Sequence, residues 1–205
     1  MKNKLFFVGI CLLFLTGCAD LELKQNEINA IDVAKSDTSN QEVNTSQFTG
    51  SNFSVLPKSK RIRVDYSKKI DGDTARFELN GHEFKSRFLL IDTPETVKRG
   101  VDPQPFGKEA SELTDKLLSK ATTIEIEFDK GDKTDRYDRA LCYVYVDNVL
   151  IQNILVSEGL ARVAYISSPN DTKLAEIKGY EQIAKDENVG IWSIEGYVTN
   201  QSFNP

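Results

Sequence analysis

Three short segments of this chain concentrate acids and arginines. Ile70-Asp71-Gly72-Asp73-Thr74 sets two carboxylates either side of a glycine, and Asp135-Arg136-Tyr137-Asp138-Arg139 mixes cations with an aromatic ring. Between them, Arg87-Phe88-Leu89-Leu90-Ile91-Asp92-Thr93-Pro94-Glu95-Thr96 opens on a cation, runs through apolar residues and ends in two acids. Carboxylates and backbone carbonyls are the oxygen donors that a hard cation takes, and planar guanidinium forks match phosphate oxygens two at a time. No cysteine or histidine cluster favours zinc. The single histidine, His82, sits beside the Asn80-Gly81 turn, far in sequence from the acids, so histidine-based catalysis is set aside. Taken singly, each segment also reads as ordinary structure: Asp-Gly-Asp as a turn, Thr-Pro-Glu as the opening of a helix or turn, the charged loop as solvated surface. The acids Asp129, Asp132, Asp135 and Asp138 are spaced by three with Lys and Arg interleaved, which is not the alternating pattern of a helix-loop-helix calcium site.

The elements that must position these residues follow from alternation and period. Residues 61–70 and 74–79 read as strands, and Asn80-Gly81 marks a hairpin turn because both residues tolerate positive φ. Residues 82–91 are then the third strand. Residues 106–120 place Phe106, Ala110, Leu113, Leu117 and Leu118 at helical spacing, just after the turn-rich Asp102-Pro103-Gln104-Pro105. Residues 122–128 and 141–146 alternate as strands around a charged loop, 129–139. Residues 149–158 and 172–187 fit helices, the first ended by Gly159 and the second by Gly190. Cys142 lies in an apolar run and reads as a small buried hydrophobe. The expected class is α+β dominated by β: five strands with a helix between the third and fourth is the element order of an oligonucleotide-binding (OB) barrel, here carrying three helices in all. The pattern contains no internal repeat and no second domain, and strand order does not follow from it.

In this order and context the segments resemble the staphylococcal nuclease (thermonuclease) family. Ile-Asp-Gly-Asp-Thr, Arg-x-Leu-Leu-x-Asp-Thr-Pro-Glu-Thr, Phe128-Asp129-Lys130-Gly131 and Asp-x-Tyr-x-Arg recur with that family's spacing. Glu158-Gly159-Leu160-Ala161 and Asn188-Val189-Gly190-Ile191-Trp192-Ser193 are similar as well, so the resemblance runs from about Arg61 to Trp192. It implies a five-stranded OB barrel and Ca²⁺-dependent hydrolysis of DNA and RNA, single strands preferred, with 3′-phosphate ends. By the same resemblance Asp73 and Asp92 ligate Ca²⁺, Thr93 does so through its backbone carbonyl, and Glu95 acts through a bound water and as general base. Arg87 and Arg139 meet the charge that develops on the phosphoryl group. Tyr137, Tyr165 and Arg136 contact the substrate, with Leu141 and Phe88 as an apolar floor under a base. Three positions depart from the family pattern: Arg136 replaces a lysine, Asp138 a glycine and Ser167 a tyrosine. Two other readings stand beside the enzyme: a barrel that binds nucleic acid without cutting it, and a structural or adhesive surface lipoprotein.

The first residues address where such a protein works. Lys2 and Lys4 precede an apolar run, 5–15, that is too short to span a bilayer, which takes about 20 residues. Leu15-Thr16-Gly17-Cys18 resembles a bacterial lipobox, which implies a signal peptide, 1–17, cleaved to leave a diacylated Cys18; a plain secretory signal is the alternative. Residues 18–58 are polar and aperiodic and read as a flexible tether, which leaves 59–205 as the nuclease-like domain. The expected product is an exported, membrane-anchored monomer that holds Cys18, already acylated, and Cys142, so no disulfide is available. A net charge of −5, more negative still once Lys2 and Lys4 leave, excludes polyanion binding by general attraction and requires a local cluster of cations.

Overall fold

Residues 61–71 run as one strand bent at Val64, giving β1 (Arg61–Arg63) and β2 (Asp65–Asp71). The structure, a computed structural model, describes residues 43–96 and 103–204. The lipobox and the proposed lipidation site at Cys18 therefore lie outside the described residues. β2 turns at Gly72 into β3 (Thr74–Leu79), and Asn80 and Gly81, both at positive φ, turn β3 into β4 (His82–Phe88). After β5 (Ile91–Asp92) and α1 (Gly107–Lys120) come β6 (Ile124–Glu127), β7 (Ala140–Val146) and β8 (Val149–Leu150). The last elements are α2 (Ile151–Ser157), β9 (Arg162–Val163) and α3 (Leu174–Asp186).

The main sheet has the order β1-β6-β7-β4-β3-β2, all antiparallel except β4 with β7. Its path begins in β1 and ends in β2, and these are halves of the same bent strand. The Val64 amide at the bend donates to the Ile124 carbonyl at 3.0 Å, so the bent strand joins the two ends of the path in the manner of the five-stranded barrel expected. Inward positions alternate along the strands, and Ala75, Phe77, Phe88, Ile126, Cys142 and Val144 are all buried. Cys142 is free. α1 packs on β2 and α2 on β7 and α3. No helix among the described residues is long and apolar enough to cross a membrane.

The structure differs from the sequence expectations in four places. Residues 43–58, read as the end of a tether, lie against the barrel: Phe48, Phe53 and Leu56 are buried, and Phe53 sits 5.5 Å from Phe84 and 5.9 Å from Phe128, centroid to centroid. Lys133 clasps this segment through the carbonyls of Phe53, Ser54 and Leu56. Isolated apolar residues in an irregular segment leave no period, yet aromatic rings bury large areas one at a time. The third strand stops at Phe88 because Leu90 takes φ 67° and turns the chain into β5, which pairs with β9. Val149 and Leu150 extend the sheet as β8, so the helix expected from 149 starts at Ile151. Finally, Gly159 follows α2 at φ 63° as expected, but Asn188 at φ 52° takes that place after α3. Gly190 instead meets Gly159: a Cβ on Gly190 would lie 2.0 Å from the Gly159 carbonyl oxygen, and one on Gly159 would lie 2.3 Å from the Val189 carbonyl oxygen.

Candidate active site

The acids of the first two segments converge because Gly72 lets the β2–β3 turn lie flat against Thr93. A Cβ there would sit 2.7 Å from Thr93 Oγ1 and 2.9 Å from the Ala110 Cβ in α1, and the Thr114 hydroxyl of α1 donates to the Gly72 carbonyl at 2.6 Å. This brings Asp73 to the Thr93 amide, which donates to Asp73 Oδ2 at 3.0 Å. The β3–β4 ladder pairs Thr74 with Arg87, so Arg87 emerges beside Asp73 and forms an ion pair with it. The same guanidinium reaches Asp92 Oδ1 at 3.2 Å. Two carboxylates from different elements thus flank one buried cation.

Burial works against the Arg87 charge, but the Asp73 and Asp92 carboxylates outweigh it and hold the guanidinium above its ordinary range. Burial and then the nearby Asp73 charge push the Asp92 carboxyl up, and Arg87 and Arg162 offset only part of this. Asp71, behind Asp73, is pushed up to about 6, chiefly by burial and further by Glu95 and Asp73, against hydrogen bonds from Thr96 and Gly72. Glu95 is held through its backbone: its amide donates to Gln104 Oε1 at 2.8 Å, and its carbonyl accepts from the Gln104 amide at 3.0 Å.

The loop 129–139 supplies the opposite wall. Asp135 accepts from the amides of Tyr137 and Arg139 at 2.9 and 3.0 Å and grips the Arg139 side chain, Nε at 2.7 Å and Nη2 at 2.6 Å. Burial alone would raise the Asp135 carboxyl; the hydrogen bonds from Arg139 and Tyr137 hold it below the usual range. Asp138 takes φ 58° in this turn and is exposed, which explains a glycine at that position, since only glycine adopts it without strain and aspartate tolerates it better than most. Arg136 donates to the Tyr137 hydroxyl at 2.7 Å.

One cleft of about 870 Å³ joins both walls. Asp73, Arg87, Asp92, Thr93, Glu95, Arg136, Tyr137, Arg139, Leu141 and Tyr165 all line it. Tyr137 and Tyr165 are 62% and 68% exposed, and Arg87 lies 5.2 Å from the Tyr165 ring. Phe88 also borders the cleft but is 1% exposed, so its ring is barrel core beneath the floor, and the half-buried Leu141 is the surface a base would meet. His82 is exposed at its turn, away from these residues.

The sequence reading missed Arg162. It lies opposite Asp92 in the β5–β9 ladder and donates to Asp92 Oδ2 from Nε at 3.1 Å and Nη2 at 2.9 Å. A lone arginine in the apolar run Leu160–Val163 was its only signal. The residues present fit a hard cation. The donors are oxygens, Asp73 and Asp92 are crowded enough to raise the latter's pKa, and the buried Thr93 Oγ1 has no hydrogen-bond partner among the described residues. No three Asp, Glu, His or Cys side chains form a ready cage among the described residues.

Comparison with known proteins agrees with this geometry. A family model described as "Staphylococcal nuclease homologue" matches residues 85–194. Endonuclease YncB of Bacillus subtilis (strain 168) is 40% identical over 193 residues, covering 93% of this chain and 90% of the relative. SPbeta prophage-derived endonuclease YokF of the same strain is 46% identical over 143 residues, 70% of this chain but only 48% of its own length. Thermonuclease of Staphylococcus hyicus is 38% identical over 134 residues, 65% of this chain and 75% of the relative. With agreement of this extent, and a five-stranded barrel carrying the matched segments, the chain belongs to the staphylococcal nuclease family.

Proposed function

We propose that the protein is a Ca²⁺-dependent nuclease that hydrolyses phosphodiester bonds of DNA and RNA with little sequence specificity, prefers single strands and leaves 3′-phosphate ends. The observation that carries this reading is the buried Arg87 between Asp73 and Asp92, facing Arg139 across one cleft. Asp73, Asp92 and the Thr93 carbonyl would hold the ion, with Glu95 joined to it through water. When bound, Ca²⁺ supplies positive charge against the phosphoryl oxygens.

The chain's own groups perform the rest. Arg87 and Arg139 offer fixed N–H donors to the phosphoryl oxygens, where negative charge grows toward the transition state. Donors set in advance stabilise that charge without reorganising. Glu95, fixed at both ends of its peptide unit by Gln104, accepts the proton of the attacking water as general base. Tyr137, Tyr165 and Leu141 present rings and apolar surface to bases; stacking reads the π-face, so preference is weak and sequence specificity low. The net charge of −5 is no obstacle when the cations are gathered in one cleft.

The protein works as a monomer outside the cytoplasm, anchored to a membrane by two acyl chains on Cys18, a number sufficient for stable attachment. Incubating the full chain with single-stranded DNA and with RNA, in Ca²⁺ and in excess chelator, tests the activity. Fragments should form only with Ca²⁺; retention of the strands intact would favour the binding module instead. Metabolic labelling with a clickable fatty acid tests the anchor, and an unlabelled protein released wholly into the medium would leave an ordinary secreted enzyme.

A further inference from the structure

Beyond residue 194 the chain forms a strap that touches the site from behind at two points. Its core is an apolar cluster of Ile191, Tyr197 and Phe203, with Phe106, Trp192 and Val198 packed against it. Val198 bridges Phe203 across a tight turn, in which the Thr199 amide donates to the Ser202 carbonyl at 2.9 Å. From this turn the Asn200 and Gln201 carbonyls accept from Arg162, at 3.4 and 2.8 Å, and the Phe203 ring lies 5.5 Å from the same guanidinium. Arg162 is 5% exposed, and its Nε and Nη2 also donate to Asp92. At the second point the Tyr197 hydroxyl donates to the Pro105 carbonyl at 2.8 Å. Pro105 follows Gln104, which holds the Glu95 backbone from both sides.

We infer that residues 195–204 are a positioning strap for the site: through Arg162 they fix the carboxylate of Asp92, and through Tyr197, Pro105 and Gln104 they fix the backbone of Glu95. The inference rests on the proposed nuclease reading, because it assigns the strap's two arms to that reading's metal ligand and base. Without Arg162, Asp92 would be held by Arg87 through one oxygen only. With Oδ1 on Arg87 and Oδ2 on Arg162 its plane is set before any cation arrives, and groups that orient a ligand in this way govern metal affinity. The Tyr197 arm touches neither of the carboxylates that would ligate the ion directly, so it acts on the placement of Glu95 and reaches the metal only through the water that joins Glu95 to it.

The two arms therefore separate in one experiment. Ca²⁺ binding is followed by titration calorimetry with the metal alone, kcat is measured at saturating Ca²⁺, and circular dichroism with thermal melting reports folding, all on the full chain. Arg162→Met should weaken Ca²⁺ binding about 10-fold to 100-fold, with Arg162→Lys between it and wild type. Tyr197→Phe should weaken Ca²⁺ binding by less than Arg162→Lys does and lower kcat by about 3-fold to 10-fold, the effect of one hydrogen bond. Should Arg162→Met not fold, Arg162→Lys carries the same test, with a smaller shift. Folded Arg162 variants with wild-type Ca²⁺ affinity, or a Tyr197→Phe protein with wild-type kcat, would overturn the strap's role while leaving the nuclease reading standing. A wild-type protein that neither binds Ca²⁺ nor cuts overturns both.

Discussion

Arg87 leaves the end of a barrel strand and is 9% exposed between two carboxylates from other elements, whereas Arg139 leaves an irregular loop and is held by one aspartate four residues before it. The first arrangement cannot relax without disturbing the β3–β4 ladder, the Gly72 contact and the β5–β9 pair. The second is a local turn whose exposed tip, Arg136, Tyr137 and Asp138, can change without touching the core. All three departures from the family pattern, Arg136, Asp138 and Ser167, fall on the loop side or on the exposed run after β9. On the proposed function, charge stabilisation at the reacting phosphate would fall to the rigid half and holding a flexible single strand to the adaptable one.

That contrast is open to direct attack. Arg87→Lys keeps a positive charge but loses the fork, and its largest effect should fall on turnover, about 10²-fold to 10³-fold in kcat, with substrate affinity changing far less. A near-normal kcat in a folded Arg87→Lys protein would end the claim that the buried half carries the chemistry. Arg139→Lys should lower kcat/KM by about 10-fold to 100-fold through one lost charged hydrogen-bonding edge, divided between KM and kcat. If its loss fell on kcat alone, the two halves would not differ in the way described.

Asp138→Gly is expected to improve the loop half. It removes an L residue from φ 58° and a negative charge beside Arg139, so KM should fall by roughly twofold to fivefold, the scale of an exposed charge interaction. An unchanged KM would show that Asp138 points away from the strand. The smallest expected effect concerns the base of the loop, where Asp129 accepts from Tyr143, Lys130 and both the amide and hydroxyl of Thr172. Burial raises this carboxyl, but those hydrogen bonds outweigh it and hold it below the ordinary aspartate range. A depressed native pKa means stability that is present above about 3.9, the unfolded value, and is lost as pH falls through the lower native value. Urea unfolding between neutral and acid pH should show this slope in wild type and a shallower one in Asp129→Asn. Equal slopes would remove Asp129 as the loop's anchor.

Most of the front of the cleft was legible because its residues cluster along the chain. Asp71-Gly72-Asp73 and Asp92-Thr93-Pro94-Glu95 each carry their chemistry within a few positions, and hairpin and helix periods frame them. What sits behind the cleft was not. Arg162 reaches Asp92 across 70 positions, from a two-residue strand too short to show alternation. The strap and residues 43–58 pack through single aromatic residues, Tyr197, Phe203, Phe48 and Phe53, and a lone ring in a polar stretch leaves no period to detect. Leu90 breaks a strand by its backbone conformation in a run whose apolar composition continues the strand pattern.

The central claim is that Asp73 and Asp92 present oxygen ligands for Ca²⁺ to a phosphodiester held by Arg87 and Arg139. It is tested most directly by cleavage of end-labelled single-stranded DNA over a Ca²⁺ series, with the wild-type chain and Asp92→Asn run side by side and the product ends typed. Wild type should saturate at roughly 10⁻⁴–10⁻³ M Ca²⁺, the range of extracellular sites, and leave 3′-phosphates. Asp92→Asn should show no saturation in that range. Undiminished cutting in excess chelator, or products bearing 5′-phosphates, would contradict it.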